Sequence, residues 1–115
     1  MFPQTRFLAV AVPVAAILML SACSSQATEE DFTEILTANG VSQEHTRITG
    51  PDSEGMFIAV YEVNEGCELH ISWDGGEKPV IVGAQADRYF HPAPETTYLE
   101  GFGADRMSQA CEGEF

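Results

Sequence analysis

Basic side chains are scarce in this sequence of 115 residues, which holds five Lys and Arg residues against 18 Asp and Glu residues. The formal net charge at pH 7 is therefore -13. A surface of this charge repels nucleic-acid phosphates and anionic lipid head groups. The composition argues against nucleic acid as a partner, while cationic partners and weakly held divalent ions remain compatible with it. A solvated acidic surface that only keeps a small domain soluble is the simplest interpretation.

The sequence also lacks the patterns of familiar catalytic and cofactor sites. It contains no Gly-x-Ser-x-Gly, no phosphate-binding loop and no Cys-x-x-Cys, and its three histidines are scattered. We therefore predict no cofactor and find no catalytic constellation. The length allows one small domain, and a hydrophobic content of 44% is ordinary for a globular protein.

An apolar segment lies near the N-terminus, from Phe7 to Leu20. This run of 14 residues is too short to cross a bilayer core of about 30 Å as a helix, and it contains Pro13. Arg6 and the amino terminus supply positive charge ahead of it, and no acidic residue precedes it. These features are typical of a signal peptide, which we predict over residues 1–22.

The apolar segment ends in Leu20-Ser21-Ala22-Cys23, which resembles the lipobox of bacterial lipoproteins. In that family, small residues precede the cysteine that becomes the mature N-terminus. The resemblance implies that a lipoprotein signal peptidase cuts before Cys23, and that the Cys23 thiol is thioether-linked to diacylglycerol. The protein would then be lipid-anchored to the cell membrane on its extracytoplasmic side, with residues 23–28 as a flexible tether.

The charge of the mature chain bears on how such an anchor works. Removal of Arg6 leaves four basic residues against 18 acidic ones, a net charge of -14. This charge gives no attraction to anionic lipid, so acyl chains have to hold the domain alone, and a stable anchor needs two or more of them. The competing interpretation is ordinary secretion, with cleavage after Ala27 and loss of Cys23. An uncleaved anchor is disfavoured by the length of the apolar segment.

The residues after the tether predict an α+β domain over 29–115. Thr28 precedes three acidic residues and an apolar stripe, and Asn39-Gly40 supplies a left-handed stop, so we predict a helix over residues 29–39. We expect this single N-terminal helix to cover one face of a small, mostly antiparallel sheet of four or five strands.

The sheet is organised around a hairpin of residues 56–63 and 67–73, joined by a loop of residues 64–66 that ends in Gly. If Val63 faces Cys67, then Phe57 faces Trp73, and one surface of the hairpin is apolar or amphipathic throughout. We expect the first strand to be interior and the second to lie nearer an edge or a wet face. His70 would lie opposite Val60 on the more polar surface.

The other segments carry weaker signals. Short strands are predicted over residues 45–49, 79–83 and 96–102, with loops over residues 50–55 and 74–77. The two prolines of residues 89–94 favour a stiff loop. Residues 104–111 predict a short helix or a turn, and residues 112–115 are expected to fray.

Cys67 and Cys111 remain once Cys23 is assigned to the anchor. An even number of cysteines in an exported protein predicts a disulfide, and closing a loop of about 45 residues would stabilise the domain by roughly 4 kcal/mol. Two free buried thiols or a redox pair are the alternatives.

Four candidate sites can be drawn from the remaining polar and aromatic residues. His70 with Glu68 and a further His could bind zinc or copper, although exposed histidines are the simpler interpretation. The acidic loops at residues 52–54 and 74–77 could converge on calcium, without following the ligand order of a calcium loop. His70 and Ser72 point the same way along one strand, as a small hydrolase would require. Five aromatic residues could line a ligand cleft or form the core: Trp73, Tyr89, Phe90, Tyr98 and Phe102.

The expected function is that of a membrane-anchored lipoprotein that binds another protein of the cell envelope. The alternative within binding proteins is a site for a small molecule or metal ion, and the alternative of another class is a small hydrolase that uses His70. Any part of the apolar surface that the helix leaves uncovered would be a partner surface or a pocket.

Overall fold

The computed structural model describes residues 26–76 and 78–115 of the chain. In these ranges the structure has two α-helices, a 3₁₀ turn and five strands. In chain order they are α1 (Glu29–Ala38), the 3₁₀ turn (Gln43–His45), β1 (Thr46–Thr49), β2 (Phe57–Asn64), β3 (Cys67–Trp73), β4 (Val80–Ala86), β5 (Tyr89–Pro92) and α2 (Gly103–Ala110). The strands form one antiparallel sheet in the order β1-β2-β3-β4-β5. The predicted α+β class is confirmed.

Helix α1 begins and ends close to the predicted residues. Thr28 Oγ1 accepts the N–H of Asp31 at 3.2 Å, and an Asp31 carboxylate oxygen accepts the N–H of Thr28 at 2.9 Å. This reciprocal pair is a capping box. At the other end Gly40 has a φ of 85°, and the N–H of Val41 donates to the carbonyl of Leu36 at 2.9 Å. The helix therefore ends in a Schellman motif.

The β2–β3 hairpin has the predicted register over most of its length, with Phe57 opposite Trp73. Near the turn the predicted register is wrong. Cys67 pairs with Asn64 instead of Val63, because a register shift follows Glu62. The connection is consequently shortened to a two-residue turn at positions 65 and 66.

The expected positions of the two hairpin strands are half right. Strand β2 is interior, as predicted, but β3 is the central strand of the sheet rather than a strand near an edge. The reason is that β4 pairs with residues 67–72 of β3 and extends beyond the predicted residues 79–83. Residues 89–92, predicted as a stiff loop, form the edge strand β5, where Pro92 can stand because one side of an edge strand needs no donor.

Both helices pack on the same face of the sheet, which we call the core face; the opposite face is the outer face. The ring of Phe32 on α1 lies 5.9 Å from that of Phe57 and 5.3 Å from that of Trp73 between centroids. Met107 and Ala110 of α2 are buried in the same hydrophobic core. This core therefore accounts for the apolar surface of the predicted hairpin.

The C-terminal third differs most from the sequence-based predictions. Residues 96–102 do not form the predicted last strand, and their pairing is limited to a single bridge between Tyr98 and Val80. The chain then turns at Gly101, with a φ of 79°, and enters α2, so the described chain has two helices where one was predicted. Residues 112–115 were expected to fray, but Phe115 packs against the core.

The predicted disulfide between Cys67 and Cys111 is present, with Cα atoms 5.9 Å apart. It joins the first residue of β3 to the residue that follows α2. Because Cys67 lies on the core face, the bond holds α2 against the sheet.

The predicted signal peptide, residues 1–22, and the predicted lipidation site, Cys23, lie outside the described residues. Helix α1 begins at residue 29, so it is the first helix of the predicted domain but is not at the N-terminus of the chain. Among the residues that the structure describes, no helix is long and apolar enough to span a membrane.

Candidate functional site

The outer face of the sheet carries side chains that no described helix covers. Cross-strand pairing places these residues in three rows that run across the strands. The acidic row, nearest the β2–β3 turn, contains Glu62, Glu68, Gln85 and Phe90. The histidine row, in the middle, contains Arg47, Val60, His70, Gly83 and Pro92. The apolar row contains Thr49, Ile58, Ser72 and Val80. The apolar members of these rows lie outside the hydrophobic core and its packed neighbours.

His70 is the centre of this face, since β3 is the middle strand and the histidine row is the middle row. Its ring meets the ring of Phe90 edge to face, with centroids 5.5 Å apart and planes at 76°. The Nε2 atom is buried and has no hydrogen-bond partner among the residues that the structure describes. The prediction of an exposed histidine on a wet face is therefore wrong, because β5 brings an aromatic ring over the imidazole.

Gly83 makes this arrangement possible. It pairs with His70 across β3 and β4 and is buried. A Cβ atom at this position would lie 2.5 Å from Cζ of Phe90 and 2.6 Å from the carbonyl oxygen of His91. Only a residue without a side chain lets the Phe90 ring lie against the backbone of β4.

The acidic row places two carboxylates directly opposite each other, Glu62 on β2 and Glu68 on β3. Arg47 Nη1 lies 3.3 Å from Glu68 Oε2, and His45 Nδ1 lies 3.9 Å from Glu62 Oε1. Like charges in direct cross-strand contact destabilise a sheet. Because the imidazole of His45 is charged only when protonated, Arg47 is the one permanent cation that these two contacts supply.

The apolar row and its surroundings form the opposite end of the outer face. Ile58 and Val80 are half-buried in this row, and the bridge to Val80 brings Tyr98 alongside. Val82, at the register shift of β4, is 42% exposed and Tyr98 is 50% exposed. The outer face is thus apolar at one end and acidic at the other.

The two acidic loops considered as candidate calcium sites each use an aspartate side chain to accept hydrogen bonds from the backbone of the same loop. Asp52 Oδ1 accepts the backbone N–H of Glu54 at 2.8 Å and of Met56 at 2.9 Å, and Asp74 Oδ1 accepts the N–H of Gly76 at 2.9 Å. The hydrogen bond from Met56, followed by that from Glu54, lowers the pKa of Asp52. These carboxylates therefore order their own loops.

The same two loops line a cleft of about 530 Å³ at the end of the sheet where β2 begins. Gln26 and Ala27 of the predicted tether also line it, together with Phe57 at the start of β2. The described part of the predicted tether therefore joins the domain at the end of the sheet opposite the acidic row.

The structure does not assemble the candidate metal or hydrolase residues into a complete site. Among the residues it describes, no group of three or more His, Cys, Asp and Glu side chains could hold a metal ion. Glu68 and His70 lie in adjacent rows, and Glu68 is engaged by Arg47. His70 and Ser72 share the outer face as predicted, but within residues 26–76 and 78–115 the buried Nε2 of His70 lacks a hydrogen-bond partner.

The five aromatic residues proposed for a ligand cleft separate into two groups. Trp73 and Phe102 are buried in the core. Tyr89, Phe90 and Tyr98 are exposed by 68%, 41% and 50% respectively. Phe90 and Tyr98 therefore belong to the outer face region, whereas pairing with Ala86 places Tyr89 on the side of the core face.

Sequence reasoning missed Gly83 and the covering role of Phe90. A glycine inside a strand is a signal for a close approach of another group. Asp87, which has a φ of 56°, with Arg88 forms the turn that returns the chain as β5. The prolines at positions 92 and 94 concealed that strand.

Comparisons with protein-family models, with curated proteins and with solved structures give no match for this chain. The outer face and the N-terminal motif are consequently the features that bear on function.

Proposed function

We propose that this protein is an exported lipoprotein, anchored through acyl chains on Cys23, whose domain binds another protein of the cell envelope through the outer face. The observation that carries the proposal is that face, which is partly apolar, is centred on His70 and is left open by both described helices. Exposed apolar surface of this kind marks sites of protein association.

Two features support the extracytoplasmic location. The Leu20-Ser21-Ala22-Cys23 motif follows an apolar segment of signal-peptide length. The Cys67–Cys111 disulfide is a bond that persists in oxidising compartments. Gln26 comes three residues after Cys23, a span of at most about 10 Å, so the anchor would hold the domain close to the membrane.

The anchor is tested by expressing the full chain in bacterial cells and measuring the mass of the protein from the membrane fraction by mass spectrometry. The wild-type protein should start at Cys23 and carry the added mass of a diacylglycerol group. Cys23→Ala should accumulate as an unlipidated precursor, whereas the control Ser24→Ala should be processed normally. A mature protein that starts at Thr28 and is found in the medium would overturn the anchor.

The binding surface is tested with a photoreactive phenylalanine analogue placed at residue 90 in the same cells. Tyr89 offers a matched control, because it neighbours Phe90 on β5, is more exposed and lies on the other side of the sheet. Irradiation should yield one discrete adduct with an envelope protein, identified by mass spectrometry, from position 90 and not from position 89. No adduct at position 90, or equal adducts at both, would overturn the binding role of the outer face.

A second function, the binding of a small molecule, is favoured by the cleft of about 530 Å³ at the start of β2. Asp52 and Asp74 line this cleft, so a small cationic ligand suits it. Saturating ligand should raise the melting temperature, and Asp74→Asn should abolish that rise. If no compound in a panel of small organic cations raises the melting temperature, this function is excluded.

A further inference from the structure

We infer that the partner segment that docks on the outer face is amphipathic and basic, with apolar side chains over Val60 and Ile58 and a Lys or Arg side chain between Glu62 and Glu68. This inference rests on the proposed function and specifies the chemistry of the partner.

The opposed carboxylates are the first reason. Glu62 and Glu68 face each other across β2 and β3, an arrangement that costs stability in the isolated domain. Arg47 contacts Glu68 at 3.3 Å from the side of β1, whereas the ion-pair partner of Glu62 among the described residues is His45, at 3.9 Å. A cation that a partner placed above the pair would relieve the repulsion and form two charge-assisted hydrogen bonds.

The apolar centre of the face is the second reason. Val60 lies opposite His70, and the neighbouring positions are Ile58 and the ring of Phe90. The Nε2 atom of His70 is already withdrawn from solvent at this place. A partner segment with only charged side chains would leave this apolar surface in contact with water. The docking segment therefore needs apolar side chains beside its basic one.

Charge complementarity selects a basic protein over the other occupants of such a face. A second copy of this chain would bring another strongly acidic molecule into contact. Anionic lipid is repelled for the same reason. A basic protein segment is attracted, and its association should accelerate as the ionic strength falls.

The direction of the tether leaves the acidic row free for such a partner. Ala27 lines the cleft with Phe57, where β2 begins. Glu62 is five residues further along the same strand, which corresponds to about 17 Å. The anchored domain therefore presents the acidic row at the end away from the chain segment that leads to Cys23.

The test measures the adduct at position 90 in cells that produce charge variants of the full chain. Glu62→Gln with Glu68→Gln should reduce the yield of adduct roughly fivefold, because two exposed ion pairs are lost. Glu34→Gln with Glu112→Gln removes the same charge from exposed residues of the helical layer and should leave the yield unchanged. Glu62→Asp with Glu68→Asp should restore most of the yield. Each variant is first checked for a melting temperature no lower than that of the wild type, since removal of the opposed charges should if anything stabilise the isolated domain.

The sequence of the crosslinked partner peptide provides a second readout. It should contain Lys or Arg next to apolar residues. An adduct whose yield is insensitive to the outer-face glutamates, or whose partner peptide is acidic, would overturn this inference and leave the proposed function standing. Absence of any adduct at position 90 would overturn both.

Discussion

A Cβ atom on Gly83 would lie 2.5 Å from Cζ of Phe90, so the ring of Phe90 occupies the space that a larger residue on β4 would need. The same ring covers the imidazole of His70 on the central strand. The absence of a side chain at Gly83 therefore lets a ring from the edge strand β5 reach the middle of the outer face.

Gly83→Ala should displace Phe90 and lower the free energy of unfolding by about 1–3 kcal/mol, the usual cost of overpacking. The added methyl group would also meet the backbone of His91, which cannot move as freely as a ring. Denaturant unfolding measures the loss, and the NMR signals of the His70 ring should shift with it. Gly76→Ala is the control, because its Cβ would lie 3.9 Å from Asp74 Oδ1, an ordinary van der Waals distance. Equal stability of the two variants would contradict the close packing at Gly83.

Replacing both Cys67 and Cys111 by Ser should lower the free energy of unfolding by roughly 4 kcal/mol. The physical reason is that the bond closes a sequence separation of 44 residues and so restricts the unfolded chain. Thermal or denaturant unfolding measures the difference. Reduced wild-type protein should unfold at the same midpoint as the double variant; a reduced protein as stable as the oxidised one would contradict the prediction.

Asp52→Asn should destabilise the domain at neutral pH and have no effect in acid. Hydrogen bonds from the N–H groups of Met56 and Glu54 lower the pKa of Asp52 in the folded protein below the usual value for an aspartate. The ionised carboxylate therefore stabilises the fold at pH values above the ordinary pKa of an aspartate, and this contribution is lost as the pH falls through the lowered pKa. Unfolding measured against pH should show the wild-type and Asp52→Asn curves converging in acid, while Glu112→Gln follows the wild type throughout. A pH-independent gap would contradict the assignment.

Thr28→Ala should lower the free energy of unfolding by about 1 kcal/mol, because it removes half of the capping box of α1. Thr28 Oγ1 accepts the N–H of Asp31, which would otherwise lack a partner in the first turn. Circular dichroism during thermal unfolding is a suitable measurement. Thr37→Ala, in the exposed last turn, should be neutral or slightly stabilising, since alanine favours helices more than threonine. Equal losses at both positions would show that the cap has no special role.

Much of the fold could be predicted because its signals are local. Thr28 and Gly40 mark the ends of α1 through hydrogen bonds to residues only a few positions away. Alternation and a glycine turn were enough to place Phe57 opposite Trp73. The pairing of Cys67 with Cys111 followed from the small number of cysteines left for it.

The errors arose where distant segments compete for the same edge. The edge of β4 that faces away from β3 has two hydrogen-bonding partners. The N–H of Ile81 donates to the carbonyl of Thr97, while the second half of the strand pairs with β5. Local composition favoured residues 96–102 as the strand and residues 89–94 as the loop. Pairing in the folded domain reversed that preference, because the turn at residues 87–88 brings residues 89–92 back alongside β4.

The amino-acid sequence by itself determined the acidic charge, the helix caps, the central hairpin and the cysteine pair, because each depends on composition or on neighbours along the chain. Only the tertiary structure decided that β3 is the central strand and that Phe90 covers His70. It also decided that the two helices leave the outer face open. These features depend on contacts between residues far apart in the chain, where the free energy of packing the whole domain outweighs the preference of any short segment.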